Sequence, residues 1–100
     1  MTAAAQNRFK KQARIIKALA HPTRLFIVDE LARGERCVCE LTGMIGVEMP
    51  TVSRHLSLLK RAGILADEKR GALVYYRLRV PCVLNFFKCV EAVQSNGCGK

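Results

Sequence analysis

The chain has 100 residues, of which 17 are Lys or Arg and 8 are Asp or Glu, so its formal net charge is +9. This length supports one hydrophobic core, and we predict a single domain over residues 1–100. Half of the residues are apolar, which excludes a disordered chain, and no run reaches the ~20 apolar residues that span a bilayer. The positive charge favours a polyanionic partner, either nucleic acid or an acidic membrane surface.

Two helices are predicted in the first third of the chain. Thr2 is a good N-cap for a helix over residues 3–19, in which apolar residues recur at helical spacing. Pro22 interrupts that helix and suits the first turn of a second one. Gly34 then provides a C-terminal stop for the second helix.

A helix-turn-helix is predicted at about residues 39–62. Its first helix covers about residues 39–46, and its second covers about residues 50–62. The second helix has an apolar face at i, i+4 and i+7, which seats it on the core. That face consists of Val52, Leu56 and Leu59.

After Gly63 the pattern changes to β. Two short β-prone runs, 64–68 and 73–78, are joined by a basic segment in which Gly71 allows a tight turn. They predict a hairpin, the wing, at about residues 64–79. Pro81 opens a last helix at about residues 82–95. The predicted fold is a winged helix-turn-helix, mainly α with a β-hairpin, in which four helices precede two strands and one helix follows them.

The second helix of the helix-turn-helix is the predicted DNA reader. A helix in the major groove must expose short polar and basic side chains near its N-terminus to reach base edges. Residues of this kind, with a flanking histidine that suits hydrogen bonding or phosphate contact, are Thr51, Ser53, Arg54, His55 and Ser57. Phosphate contacts, which supply affinity but little sequence information, are predicted for Lys60, Arg61, Lys69, Arg70 and Arg77. Any one of these cations also fits an ordinary solvated face, but the combination favours DNA binding.

Three segments resemble the ArsR/SmtB family of bacterial repressors: Ala-Leu-Ala-His-Pro-Thr-Arg-Leu at 18–25, Cys-Val-Cys-Glu-Leu at 37–41, and Ser-Arg-His-Leu-Ser-Leu-Leu-Lys-Arg-Ala-Gly-Ile-Leu at 53–65. The resemblance covers about residues 15–80. It implies a homodimer joined through the first and last helices, bound to an inverted repeat in double-stranded operator DNA and released by an inducer. A cytoplasmic bacterial regulator without a membrane partner is therefore expected. An enzyme is not, since there is no Cys-x-x-Cys, acid–base pair or phosphate loop.

Five cysteines are present, at positions 37, 39, 82, 89 and 98. Their odd number and irregular spacing argue against a secreted disulfide scaffold, and no signal peptide is predicted, so reduced thiols are expected. Within the family a Cys-Val-Cys at this position resembles the arsenite and soft-metal site. Cys37 and Cys39 are therefore the predicted metal ligands, with arsenite or another soft metal ion as inducer and no constitutive cofactor. Thiolates are soft ligands, and a helix N-terminus together with Arg36 favours the thiolate form.

The third ligand is left open by the sequence. Arsenite favours three thiolates, and Thr42 stands where related repressors often carry the third cysteine. Cys82 or Cys98 is therefore the candidate third ligand, whereas Cys89 is expected in the dimer surface. The family's other metal site uses His and carboxylates on the last helix. Residues 82–96 contain no His and only one acid, so a zinc or nickel site on that helix is not expected.

Redox or persulfide sensing is the main alternative. A disulfide within the pair is expected to be awkward, because an extended i, i+2 pair spans ~6.6–7.2 Å between Cα atoms, near the limit of disulfide geometry. A bridge from the pair to a C-terminal cysteine, or a persulfide link, meets no such objection. A second alternative is a constitutive DNA-binding protein with structural cysteines, which an inducer would not release.

Overall fold

The computed structural model describes residues 1–95, which contain five helices and one three-stranded antiparallel sheet. The helices are α1 (Ala3–Leu19), α2 (Pro22–Leu31), α3 (Val38–Ile45), α4 (Met49–Arg61) and α5 (Val83–Gln94). The strands are β1 (Arg36–Cys37), β2 (Leu65–Arg70) and β3 (Leu73–Leu78), in the spatial order β1-β3-β2. The predicted winged helix-turn-helix is confirmed. Within the described residues, no helix is both long and apolar enough to cross a membrane.

The first two helices begin where their capping residues predict. Thr2 Oγ1 accepts a hydrogen bond from the Ala5 amide at 3.1 Å, which satisfies one of the free amides at the start of α1. His21 caps α2 in the same way, since its Nδ1 accepts from the Thr23 amide at 3.1 Å. Pro22 follows as the first helical residue, where a missing amide proton costs nothing.

The core lies between α2, α3, α4 and one face of the sheet. Its largest fully buried side chains come from these elements and are Ile27, Val28, Leu41, Val52, Leu56, Leu59 and Leu65. The predicted apolar face of α4 is therefore confirmed. Because that face is fixed in the core, the opposite face of α4 is held toward solvent.

The first strand of the hairpin extends two residues further than predicted, and the turn is correspondingly shorter. Strand β2 continues to Arg70, which pairs with Leu73, so the turn consists only of Gly71 and Ala72. Gly71 adopts a φ of 62°, a left-handed conformation that permits a two-residue turn. Lys69 and Arg70 consequently lie in a strand and not in the turn, where the sequence pattern placed them.

A third strand was not predicted. β1 has only two residues, Arg36 and Cys37, which pair with Tyr76 and Tyr75 of β3. Two residues are too few to show the alternation that marks a strand in a sequence. The helix α3 begins directly after them at Val38, one residue earlier than predicted. The start of α3 is thereby attached to the wing.

Candidate functional site

The N-terminal half of α4 carries the predicted base-reading residues. Arg54 and Ser57 are exposed, whereas Thr51 and Ser53 are half-buried at the edges of the helix. Arg54 Nη2 donates to Thr51 Oγ1 at 3.3 Å, which orients the guanidinium along the helix surface. Polar and basic groups therefore occupy the outward face near the helix start, as a major-groove reader requires. Their contacts with DNA remain predictions.

His55 has a structural role that the sequence did not reveal. Its Nδ1 lies 3.3 Å from Arg24 Nη1, and its ring centroid lies 4.5 Å from that of His21. Arg24 Nε also donates to the Ala18 carbonyl at 2.6 Å, so this cluster joins α1, α2 and α4. Burial, followed by the positive charges of His21 and Arg24, lowers the pKa of His55. The predicted DNA contact of His55 is untested, but its Nδ1 is already used within the protein.

Two of the predicted phosphate contacts are already paired with carboxylates. Lys60 Nζ lies 2.9 Å from Asp67 Oδ1 on β2, and this hydrogen bond raises the pKa of Lys60. Arg70 donates to both oxygens of Glu35, at 2.7 and 3.1 Å, and to Glu68 at 2.8 Å. The hydrogen bond from Arg70 lowers the pKa of Glu35. A phosphate would have to compete with these carboxylates for Lys60 and Arg70.

The remaining predicted phosphate contacts are exposed. They are Arg61 at the end of α4 and Lys69 and Arg77 in the wing strands. Exposure makes them accessible to a polyanion, although the side chains alone do not identify the partner. Phosphate contact at these positions remains a prediction.

The side chains of Cys37 and Cys39 lie next to each other. Their Cα atoms are 5.4 Å apart and their sulfur atoms face each other at disulfide-bonding range. The expectation that such a bridge is awkward was wrong, because it assumed an extended backbone. Cys37 ends β1 and Cys39 is already in α3, so the chain turns between them and shortens the separation to within the usual disulfide range.

Cys37 is also the N-cap of α3. Its sulfur accepts from the Glu40 amide at 3.3 Å, and Glu40 Oε1 accepts from the Cys37 amide at 3.0 Å, which completes a capping box. The helix amides therefore face the sulfur and favour its thiolate form when the thiol is free. Arg36 contributes less to this than its position in the sequence suggests, because its guanidinium lies 3.3 Å from Glu30 and 3.5 Å from Glu40.

The two thiols differ in access. Cys37 is 3% exposed, whereas Cys39 lies on the surface. An incoming ligand or oxidant therefore meets Cys39 first.

No third ligand is assembled within the part of the chain that the structure describes. Residues 1–95 contain no group of three His, Cys, Asp or Glu side chains placed to hold a metal ion. Cys82 is exposed just before α5, and Cys98 lies outside the described residues. A third thiolate remains a prediction, and Cys82 would reach the pair only by rearrangement or from a second copy of the chain.

Residues 21–67 match the arsR family of bacterial regulatory proteins. The arsenic resistance transcriptional regulator ArsR1 of Pseudomonas putida is 49% identical over 65 residues, which are 64% of this chain and 51% of that protein. The transcriptional repressor SmtB of Mycobacterium tuberculosis is 45% identical over 64 residues, which are 64% of this chain and 47% of that protein. This chain thus spans about half the length of these relatives.

A solved structure matches over nearly the whole chain. It is the homodimeric winged helix-turn-helix DNA-binding domain of a possible ArsR-family transcriptional regulator from Mycobacterium bovis. The TM-score is 0.80 and the identity 33%, with 95% of this chain and 88% of that chain covered.

The chain belongs to the ArsR family. Its relatives are DNA-binding regulators and not enzymes, in agreement with the prediction from the sequence. The relatives are winged helix-turn-helix regulators, but their names do not all state the same inducer. The inducer of this chain must therefore be argued from its own thiols.

Proposed function

We propose that this protein is a homodimeric transcriptional repressor that leaves its operator DNA when trivalent arsenic binds Cys37 and Cys39. The observation that carries the proposal is the position of the pair at the junction of β1 and α3. β1 is hydrogen-bonded to the wing strand β3, and α3 packs against α4. One small ligand at this junction can therefore disturb both predicted DNA-contacting elements.

The thiol chemistry favours a trivalent, thiophilic ligand. Each thiol displaces one hydroxide from arsenous acid, forming an As–S bond and releasing one water, so two thiols yield a cyclic dithiolate and arsenic stays trivalent. A third thiol can displace the last hydroxide in the same way. The exposed Cys39 reacts first, and the proximity of Cys37 makes the second substitution effectively intramolecular.

Chelation changes the start of α3. The Cys37 sulfur that becomes bound to arsenic is the atom that caps the Glu40 amide. Loss of that cap weakens the first turn of α3, which packs against the reader helix α4. The coupling required is modest, since allosteric coupling free energies are typically ~1–3 kcal/mol.

The dimer is proposed to form through α1 and α5. Large apolar side chains on these helices are exposed, among them Ile16, Phe86 and Val90. They line a continuous groove between α1, α2 and α5. A second copy that covers this groove would place two reader helices on the two halves of an inverted repeat.

The test is a fluorescence anisotropy titration of labelled DNA from upstream of the protein's own gene, with arsenite, cadmium, zinc and an oxidant compared side by side. We expect arsenite to release the wild-type protein. Cys37→Ser and Cys39→Ser should bind DNA normally but fail to respond, because a hydroxyl does not replace a thiolate for a soft ligand. Serine is the suitable replacement at position 37, since it is a good N-cap and keeps α3 intact.

Cys89→Ser serves as the matched control, because Cys89 is exposed on α5 and lies outside the pair. It should respond to arsenite like the wild type. Cys82→Ser and Cys98→Ser, compared under the same conditions, identify a third thiolate by loss of sensitivity. If the Cys37 and Cys39 variants are still released by arsenite, the sensing site lies elsewhere.

A thiol-redox repressor is the second candidate, and the short Cα separation of the pair favours it. Oxidation by hydrogen peroxide would join the two sulfurs, break the O–O bond and release two waters that carry the thiol protons. A variant with Cys82, Cys89 and Cys98 all replaced by Ser keeps only the pair. If arsenite does not release the wild type, while peroxide releases this variant with a mass loss of two hydrogens and dithiothreitol restores DNA binding, redox sensing replaces arsenic sensing.

A further inference from the structure

A basic groove runs along α4 on the side away from the wing. It is lined by three cations of α1 and α2 and one of α4, together with Ala18, Leu58 and Ala62 at its floor. The four cations are Arg14, Lys17, Arg24 and Arg61. No acidic residue lines it. The groove therefore presents concentrated positive charge beside the outward face of the reader helix.

The cations of this groove differ from Lys60 and Arg70 on the wing side in their pairing with carboxylates. Among the described residues, Arg14, Lys17 and Arg61 form no ion pair with a carboxylate. Lys60 and Arg70, in contrast, are paired with Asp67, Glu35 and Glu68. The sequence pattern predicted a phosphate contact for Arg61 but not for Arg14 or Lys17, which lie far from α4 in the chain. Lys69 and Arg77 of the wing also form no ion pair among the described residues, so the structure places uncompensated charge on both sides of α4.

The geometry of DNA makes phosphates available on both sides of a reader helix. A helix in the major groove lies between two phosphate backbones, one on each flank. The wing is placed on one flank of α4, where Lys60 meets β2. The basic groove occupies the other flank.

The basic groove also stays available in the proposed dimer. Arg14 and Ile16 are two positions apart in α1, which places them about 160° apart around the helix. Ile16 lines the apolar groove proposed for the dimer, whereas Arg14 lines the basic one. A second copy seated on the apolar face leaves the basic face open.

We propose that Arg14, Lys17 and Arg61 bind the DNA phosphate backbone on the flank of α4 opposite the wing. Arg24 contributes charge but is excluded from the set, because it is held by the Ala18 carbonyl and by His55. The contact would be independent of base sequence, since it reaches only phosphates. This inference rests on the proposed function as a DNA-binding regulator.

The test compares an Arg14→Gln/Lys17→Gln variant with the wild type. Dissociation constants are measured by anisotropy over a series of KCl concentrations, on the upstream DNA and on an unrelated duplex of equal length. Each lost phosphate contact should reduce the slope of log K against log salt by ~0.9, so the double variant, which removes two contacts from each protomer and four from the dimer, should lose about 3.6. Affinity at ~0.1 M salt should fall at least about tenfold, equally on both duplexes.

The matched control is Lys11→Gln/Lys88→Gln. It removes the same number of positive charges, but from exposed positions outside the basic groove. It separates a local contact from the general loss of net charge. Circular dichroism and sizing confirm that both variants fold and assemble like the wild type. Adding Arg61→Gln should reduce the slope by about one further contact per protomer, or ~1.8 for the dimer.

Three outcomes overturn the inference. An Arg14→Gln/Lys17→Gln slope equal to that of the control shows that the groove does not touch phosphate. A loss confined to the upstream DNA shows that the groove reads sequence or DNA shape and does not form a general phosphate contact. Failure of the wild type to bind any duplex contradicts the proposed function itself, together with this inference, and so is distinguished from the first two results.

Discussion

The central body, formed by α2, α3, α4 and the sheet, buries many of its apolar side chains completely, whereas the outer helices α1 and α5 leave many of theirs exposed. In the central body, Val52, Leu56 and Leu59 of α4 have no exposed surface. On the outer helices, Ile16 of α1 is 49% exposed and Val93 of α5 is 72% exposed. The core of the central body is closed within one chain, and Ala18 and Leu19 at the end of α1 contribute to it. The outer helices leave apolar side chains exposed along the groove that they line, and this groove is the surface proposed for the dimer.

This difference separates stability from assembly. Substitutions in the central body should change the free energy of unfolding of each chain. Substitutions on the exposed faces of α1 and α5 should change the proposed dimer and leave the fold of the chain intact. The two classes can therefore be tested with separate measurements.

The largest effect is expected for Leu56→Ala. Leu56 is fully buried, and truncation of a buried leucine removes apolar contacts and leaves a cavity, which costs about 2–5 kcal/mol of stability. Urea unfolding followed by circular dichroism, at one fixed protein concentration, measures the change. Ser57→Ala on the adjacent exposed position should change stability by less than about 0.5 kcal/mol. A similar effect of the two substitutions would show that α4 is not seated in the core as described.

The second-largest effect, on the stability of the dimer, is expected for Val90→Glu. This substitution places a charge in the apolar groove between α1, α2 and α5. If a second copy covers this groove, the buried charge should weaken the dimer by at least about 2 kcal/mol, or about 30-fold in dissociation constant. Sedimentation equilibrium measures the constant.

Asn85→Glu is the matched control for Val90→Glu, because it adds the same charge at an exposed position of α5 outside the groove. Its dimer should resemble that of the wild type. Equal dissociation constants for the two variants would place the dimer interface elsewhere. The circular dichroism spectra of both should match the wild type, since neither position contributes to the core.

Local signals in the sequence predicted most of the fold. The bounds of α1 and the N-terminal proline of α2 follow from nearby residues, and the structure confirms them. The strand β1 was missed because it is too short for a pattern. The distance between Cys37 and Cys39 was misjudged because the transition from strand to helix falls between them.

The contacts of the candidate site were the least predictable. Arg70 meets Glu35 across 35 positions of sequence, and Arg24 meets His55 across 31. Such pairs depend on how the helices and strands pack, and neither the spacing nor the composition of the chain specifies them. The exposed residues of α4 were identified from their helical pattern. The pairing of Lys60 and Arg70 with carboxylates from other elements could not be identified in this way.

The smallest effect is expected for the pH dependence that arises from the cluster joining the outer helix α1 to the central body. Burial, then the nearby positive charges, lower the pKa of His55 below its ordinary value, so the folded chain binds fewer protons here than the unfolded chain. Stability should therefore decrease as the pH falls through about 6.5, the ordinary pKa of histidine, and level off below the lowered pKa of the folded state. His55 is half-buried, and solvent screening keeps this contribution smaller than the two effects above. Urea unfolding of wild-type protein and His55→Gln at a series of pH values isolates it as the difference between the two curves. A difference that does not vary with pH would show that this cluster does not link protonation to folding.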